Sequence, residues 1–336
     1  MKKQASYWQK KTKNKVQCLL CPHKCVIDDG KKGICGVRKN ENGVLYSLIY
    51  GSYSSIAVDP IEKKPLYHFY PGSSVLSLGS VGCNFKCLHC QNYSISTAIP
   101  DDFTHMKETT VEELMGLLEQ YDCEGIAWTY NEPTIWHEFA MDASRVAKKK
   151  GLYTVFVSNG YINEEPLRDI SDYLDAINVD VKGFTGEFYK NICKAGLNPV
   201  LDTCELCKDL GIFLELTYLV IPGYNDSSAE IQRFCSWVSE KLGSDVPVHF
   251  TRFHPDYKMN DVKSTPMKTL INCYDAAKKN GLDFVYVGNI AGSKYNNTVC
   301  PDCGNICIKR NGFYTNLEGI VGNKCSSCGR ELPIIF

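Results

Sequence analysis

The sequence predicts an α/β fold built from repeated strand–helix units, and three observations carry that prediction. Between about residues 74 and 292, short apolar runs rich in Val, Ile, Phe and Tyr alternate with amphipathic stretches. The amphipathic stretches repeat apolar residues at i, i+3 and i+4, the spacing of one helix face. Every polar cluster follows an apolar run directly, which is where open and closed parallel sheets carry their chemistry.

The strand candidates are "SVLSLGS" (74–80), "GIAWTY" (125–130), "YTVFVSN" (153–159), "AINVDVK" (176–182), "FLELTYLVI" (213–221), "VPVHFTRF" (246–253) and "DFVYVGN" (283–289). Their β-branched and aromatic content suits parallel strands buried on both faces. Between them, "TVEELMGLLEQY" opens on Thr110 as a helix cap, and "HEFAMDASRVAKKKG" ends on lysines and a glycine. Right-handed crossovers between such strands close a full or partial barrel, or spread into a doubly wound sheet. The polar clusters at the strand ends are "GCNFKCLHC", "NEP", "SNG", "DVKG", "PGYND", "FHP" and "GN". Their shared position favours an enzyme over a binding module.

Three segments follow from this pattern: a Cys-rich N-terminal metal-binding segment at 1–72, the barrel at 73–293, and a C-terminal module at 294–336. At 336 residues the chain is long enough for a large core with appendages. A formal net charge of −1 supports no general attraction to nucleic acid or to an anionic membrane. The basic start "MKKQASYWQKKTKNKVQ" lacks the apolar stretch of a signal peptide, and no later run is apolar enough to span a bilayer. The expected location is the cytoplasm. There, 18 cysteines read as metal ligands rather than as a disulfide framework.

The cysteines form three groups. Cys83, Cys87 and Cys90 sit in "VGCNFKCLHC", directly after the first barrel strand. A structural zinc site is closed by four ligands, and the local fourth candidate, His89, adjoins Cys90 too closely to complete it. A [4Fe–4S] cluster takes one thiolate per iron, so three cysteines leave one iron open. Cys300, Cys303, Cys325 and Cys328 form two Cys-x-x-Cys-Gly knuckles with the spacing of a zinc ribbon, a geometry that a rubredoxin-like single iron also fits. Cys18, Cys21, Cys25 and Cys35 suit zinc or a second iron–sulfur cluster, with zinc preferred. Cys204 and Cys207, one helical turn apart, read as packing. In the ribbon, Phe313 and Tyr314 are the aromatic candidates for a nucleic-acid contact, and core packing explains them equally well.

The three-cysteine loop, its place after the first strand and the motifs downstream resemble the radical S-adenosylmethionine (SAM) superfamily. The resemblance implies a partial (β/α)6-type radical SAM barrel carrying a [4Fe–4S] cluster and SAM. The reduced cluster would cleave SAM to methionine and a 5′-deoxyadenosyl radical, which abstracts a hydrogen from the substrate. Carried over residue by residue, Cys83, Cys87 and Cys90 would hold the cluster. His89 would stand near the adenine, and Glu132 in "TYNEPT" would bind the SAM amino group. Ser158 and Asn159 in "VSNG" would lie near the ribose and carboxylate. Asp180 and Lys182 in "NVDVKG" and His254 in "TRFHP" would complete the SAM environment. Where activating enzymes of the formate-lyase type resemble "DTNG", this chain has Val157, which cannot ligate a cation, so no monovalent cation is expected.

"CLLCPHKC…GICGVR", "SVGCNFKCLHCQNYSIS", "TYNEPT", "LVIPGYND", "RFHPDYKM", "YVGNIAG" and the terminal ribbon, in this order, resemble the AmmeMemoRadiSam-system radical SAM enzyme family, related to glycyl-radical-enzyme activating proteins. That resemblance implies partners of the AMMECR1 and Memo types, and a reducing partner such as flavodoxin or ferredoxin. Two reactions stay open: hydrogen abstraction from a protein or peptide, and modification of a small molecule or nucleoside. A reading of another class is a non-catalytic metal-binding scaffold. A protein substrate needs an open lateral groove at the barrel mouth, and a small one a covered pocket.

Overall fold

The computed structural model describes residues 1–101, 103–290 and 293–336. Its centre is an eight-stranded sheet whose members adjoin in chain order: β1 (Ser55–Pro60), β2 (Ser74–Gly79), β3 (Gly125–Trp128), β4 (Tyr153–Ser158), β5 (Ala176–Asp180), β6 (Phe213–Val220), β7 (Val248–Arg252) and β8 (Val285–Gly288). β2 to β8 are parallel and coincide with the seven strands expected from the sequence. Six crossovers join them, through α1 (Val111–Gln120), α2 (His137–Lys149), α3 (Glu164–Ser171), α4 (Asn198–Asp209), α5 (Ser228–Trp237) and α6 (Met267–Lys279). This is the expected (β/α)6 arrangement followed by a seventh parallel strand. Ala291 and Gly292 of "YVGNIAG" lie outside the described residues.

The local chemistry of the helices matches their ends. Thr110 accepts from the Glu113 N–H at 3.1 Å, and the Glu113 carboxylate accepts from the Thr110 N–H at 2.8 Å, a reciprocal capping box. α2 ends at Lys148 and Lys149, with Gly151 at φ +75°, where a left-handed residue ends a helix most easily.

β1 is an addition to the expected order. It pairs antiparallel to β2, from Ser55↔Gly79 to Pro60↔Ser74, so the Cys-rich N-terminal segment supplies an edge of the main sheet. The sheet runs from β1 to β8 without pairing of those two strands among the described residues, so the barrel is partial.

Side chains alternate across the sheet. Leu76, Leu78, Trp128, Phe156, Ile177 and Val179 join the large core packed under the helices. Val75, Ala127, Val155 and Ala176 face the other way and pack on Ile61, Leu66 and Phe69. The chain just before β2 therefore fills the base of the barrel. Above that apolar layer lies a polar one. Glu215 accepts from the His68 N–H at 2.7 Å and lies 2.6 Å from His249 Nε2, while Thr217 donates to Asn178 Oδ1 at 2.9 Å. Burial of these groups is tolerable because each finds a partner.

The C-terminal hairpins pack on this base through Tyr67, Phe284, Tyr286, Cys307, Ile308, Leu332 and Ile334. Arg310 is buried there and donates to the Tyr67 carbonyl at 2.5 Å. At the other side, Arg38 of the N-terminal segment makes a buried two-toothed pair with Glu138 of α2, at 2.7 and 2.8 Å. Among the described residues, no helix is long and apolar enough to cross a membrane.

Candidate active site

The loop after β2 turns at Gly82, whose φ is +82°. A Cβ there would meet the Cys35 carbonyl oxygen at 2.5 Å, so the turn needs glycine both for its left-handed backbone and for its close packing. Asn131, in the loop after β3, clamps the same turn: it accepts from the Ser80 N–H and donates to the Gly82 carbonyl, each at 3.0 Å. From the far side, a π-helical turn at Tyr189–Cys193 offers two carbonyls, which accept from the Lys86 and Leu88 N–H groups at 3.0 Å. The cysteine loop is thus held at three points by other parts of the chain.

The loop delivers Cys83, Cys87 and Cys90 to one cavity of about 440 Å³ at the C-terminal ends of the strands. His89, Glu132, Ser158, Asn159, Asp180 and Lys182 line the same cavity, as does Val157. The Cys83 sulfur accepts from the Phe85 N–H at 3.4 Å and the Asn159 amide at 3.8 Å. The Cys90 sulfur lies 3.1 Å from the Ser96 hydroxyl. The Cys193 thiol, which no sequence motif singled out, adjoins Cys87, and its nearness and burial push the Cys87 thiol well up. Burial, with Glu132 nearby, does the same to Cys83, and burial raises Cys90. Such thiols become thiolates when a metal displaces their protons.

Their spacing favours more than one metal ion. Four thiolates around one zinc at about 2.3 Å stand about 3.8 Å apart. Among the described residues, Cys83, Cys87 and Cys90 do not all come within 4.8 Å of one another, while the four C-terminal thiols do. A donor set of three spread thiols fits a cluster with one metal corner left for another ligand.

Glu132 follows β3 and is 1% exposed. Its Oε1 accepts from the Thr134 N–H at 3.0 Å and the Ser158 hydroxyl at 2.7 Å, and its Oε2 accepts from the Asn159 N–H at 2.8 Å. A carboxylate has about four acceptor positions, so about one remains for a donor in the cavity. Burial raises its pKa, against those three donors. Asn159 ties the carboxylate to the cysteine loop, because its amide also donates to Asn84 Oδ1 at 2.8 Å.

Lys182 donates to Asp180 at 2.7 Å. Burial opposes its charge, but the neighbouring Asp180 and Cys87 hold its pKa above the usual lysine value. His89 is buried, and burial lowers its pKa to about 3, so its ring is neutral at physiological pH. Its Nδ1 has no partner among the described residues. An unpaired buried ring nitrogen and a spare carboxylate position both face bound ligand chemistry, and the cavity is of a size that takes a nucleoside-like cofactor.

His254 is not brought to this cavity. β7 points Thr251 into it, whereas His254 lies beyond the strand end, exposed, with its Nδ1 3.4 Å from the Pro255 carbonyl. Thr217, Thr251 and Asn289 line that side instead.

In the C-terminal module, Cys300 and Cys328 lie 3.6 Å apart, as do Cys303 and Cys325, and all four sulfurs lie within 4.8 Å of one another. Backbone N–H groups at the second knuckle pull Cys325 down toward thiolate. Phe313 and Tyr314 of this module are exposed. Cys18, Cys21, Cys25 and Cys35 face a separate, small cavity, with His23, Arg38 and Asn84. Cys204 and Cys207 are buried in α4, as packing residues are.

Comparison with known proteins agrees with this arrangement. Residues 78–235 match the family model described as the Radical SAM superfamily. The chain is 45% identical to an uncharacterized protein of Methanocaldococcus jannaschii, over 99% of this chain and 100% of that one. It is 23% identical to the pyruvate formate-lyase 1-activating enzyme of Escherichia coli K12, over 56% of this chain and 82% of the enzyme. A radical SAM methyltransferase from Sphaerobacter thermophilus shares the fold, with a TM-score of 0.52 and 11% identity, over 67% of this chain and 68% of that structure.

Proposed function

The chain belongs to the radical SAM superfamily, and on that premise we propose that it is an enzyme that cleaves SAM reductively to start hydrogen abstraction from a protein or peptide. The observation that carries the reading is the convergence of Cys83, Cys87, Cys90, Glu132, Ser158 and Asn159 on one cavity at the strand ends. A [4Fe–4S] cluster held there by the three thiols would supply one electron to the sulfonium of SAM bound at its open iron. The chain's own residues do the rest. The remaining acceptor position of Glu132 takes an N–H of the SAM ammonium. Asn159 keeps that carboxylate in register with Cys83. His89, neutral, offers its free Nδ1 on the adenine side, and the Asp180–Lys182 pair adds a charged wall to the same cavity.

The open edge between β1 and β8 supports a protein or peptide substrate over a small molecule or nucleoside, because an unclosed barrel leaves a lateral approach to its mouth. A glycyl-radical-activating role is the specific form of this reading. The proposal includes zinc at Cys300, Cys303, Cys325 and Cys328, for which a 3.6 Å sulfur spacing is the support. It also includes the 1–72, 73–293 and 294–336 division, a cytoplasmic location, a flavodoxin or ferredoxin as reductant, and AMMECR1- and Memo-type partners. The test is anaerobic: the iron-loaded protein with SAM and dithionite releases 5′-deoxyadenosine. A fully loaded protein that binds SAM and releases none, with or without candidate substrates, supports the scaffold reading instead.

A further inference from the structure

The N-terminal cysteines are a third group of thiols, and their geometry differs from that of the C-terminal four. Cys18, Cys21, Cys25 and Cys35 line one cavity, walled also by Leu20, Ile27, Ile34 and Ile135. Four thiolates on a single zinc collapse around a point, with sulfurs about 3.8 Å apart and no void between them. The C-terminal quartet has that form, with sulfurs at 3.6 Å. The N-terminal quartet does not: among the described residues, no three of its sulfurs come within 4.8 Å of one another, and the four line a small cavity instead of meeting at a point. In this respect it resembles Cys83, Cys87 and Cys90, with a fourth thiol added.

A second observation points to a ligand in that cavity. Arg38 lines it and is 1% exposed. Its Nη2 donates to both Glu138 oxygens and its Nη1 to the Ser6 carbonyl at 3.4 Å, but its Nε–H has no acceptor among the described residues. The inorganic sulfides of a cluster would add acceptors within reach of that N–H, beside those of the thiolates themselves. Gly33 leaves the room: a Cβ there would meet Ile27 at 3.2 Å and Cys25 Sγ at 3.7 Å.

We propose that Cys18, Cys21, Cys25 and Cys35 hold a second [4Fe–4S] cluster, not zinc, fully ligated by protein and sharing a wall with the three-cysteine cavity. The wall is Gly82, Cys83 and Asn84. Gly82 packs on the Cys35 carbonyl. The Asn84 carbonyl lies 2.8 Å from His23 Nε2, and the Asn84 side chain accepts from Asn159 in the active site. A cluster there is a one-electron carrier. It would take one electron from a reduced flavin or iron–sulfur donor protein and pass that electron across the wall to the cluster proposed on Cys83, Cys87 and Cys90, which would be reduced as the N-terminal one returns to its oxidised state.

Metal analysis of the full chain, purified anaerobically, tests this. The Cys83→Ala/Cys87→Ala/Cys90→Ala variant should retain about four irons and about four sulfides, with about one zinc. An iron-free variant carrying about two zincs would overturn the proposal. A wild-type protein that also holds only about four irons, all kept in the triple variant, would uphold this site and count against the three-cysteine one. Should the triple variant not fold, Cys21→Ser/Cys25→Ser gives the reciprocal reading. It should lose about half of the wild-type iron at constant zinc; loss of one zinc at constant iron would contradict the assignment.

Discussion

Glu132 does two jobs with one carboxylate. Three of its acceptor positions fix the loops after β3 and β4, and the last faces the cavity. A charge-assisted hydrogen bond contributes about 1.5–3 kcal/mol, so Glu132→Ala should weaken SAM binding about ten- to a hundredfold at unchanged iron content. Titration calorimetry reads this directly, and unchanged affinity would exclude Glu132 from the SAM contact. Glu132, Ser158 and Asn159 were legible in the sequence because each stands in a short motif directly after an apolar run. Asn84, Asn131 and Cys193 were not. Asn84 and Asn131 stand within sequence motifs, but their roles arise only when distant segments pack on the cysteine loop, and Cys193 stands in no motif. His254 stands apart from the cavity for the related reason that its motif fixes its place near a strand end, not whether it lines the cavity.

Among the elements, the seven parallel strands could be read because burial on both faces demands β-branched and aromatic runs. β1 could not. Its Ile56 and Val58 are exposed at an edge, so it lacks that buried apolar run. The π-helical turn at Tyr189–Cys193 was also invisible, since one extra residue in a helical turn leaves little trace in periodicity. The N-terminal segment is fastened to α2 by Arg38 and Glu138, both almost wholly buried. Removing one member of a buried ion pair leaves the other without a partner. Glu138→Ala should therefore cost about 3–5 kcal/mol in urea unfolding, whereas a loss under about 1 kcal/mol would mean that the segment is held elsewhere.

Across the whole molecule, the barrel base is a meeting point for three parts of the chain, and it was not foreseen. Residues around His68 fill the base from within, and the C-terminal hairpins cover it from outside. His68 Nδ1 lies 3.2 Å from the Pro333 carbonyl, to which it donates, leaving Nε2 to accept from Tyr286 at 2.5 Å. Burial lowers the pKa of His68 to about 4, and burial lowers that of His137 likewise to about 4. Both rings are neutral in the folded state while the unfolded chain takes up protons below about pH 6.5. Stability is thus full above about pH 6.5 and falls as pH drops toward 4, by up to ~1.4 kcal/mol per pH unit for each ring. His137 has no partner at either nitrogen among the described residues, so His137→Phe should remove about one proton from the pH slope of unfolding. An unchanged slope would contradict its neutral burial.

The central claim is that three thiols at the strand ends hold a cluster whose open corner binds and cleaves SAM. It is tested most directly by 5′-deoxyadenosine release under dithionite, measured side by side for the wild-type chain and Cys87→Ala. The wild type should release 5′-deoxyadenosine and the variant none, while the variant remains folded and holds less iron. Release by Cys87→Ala at the wild-type rate would contradict it.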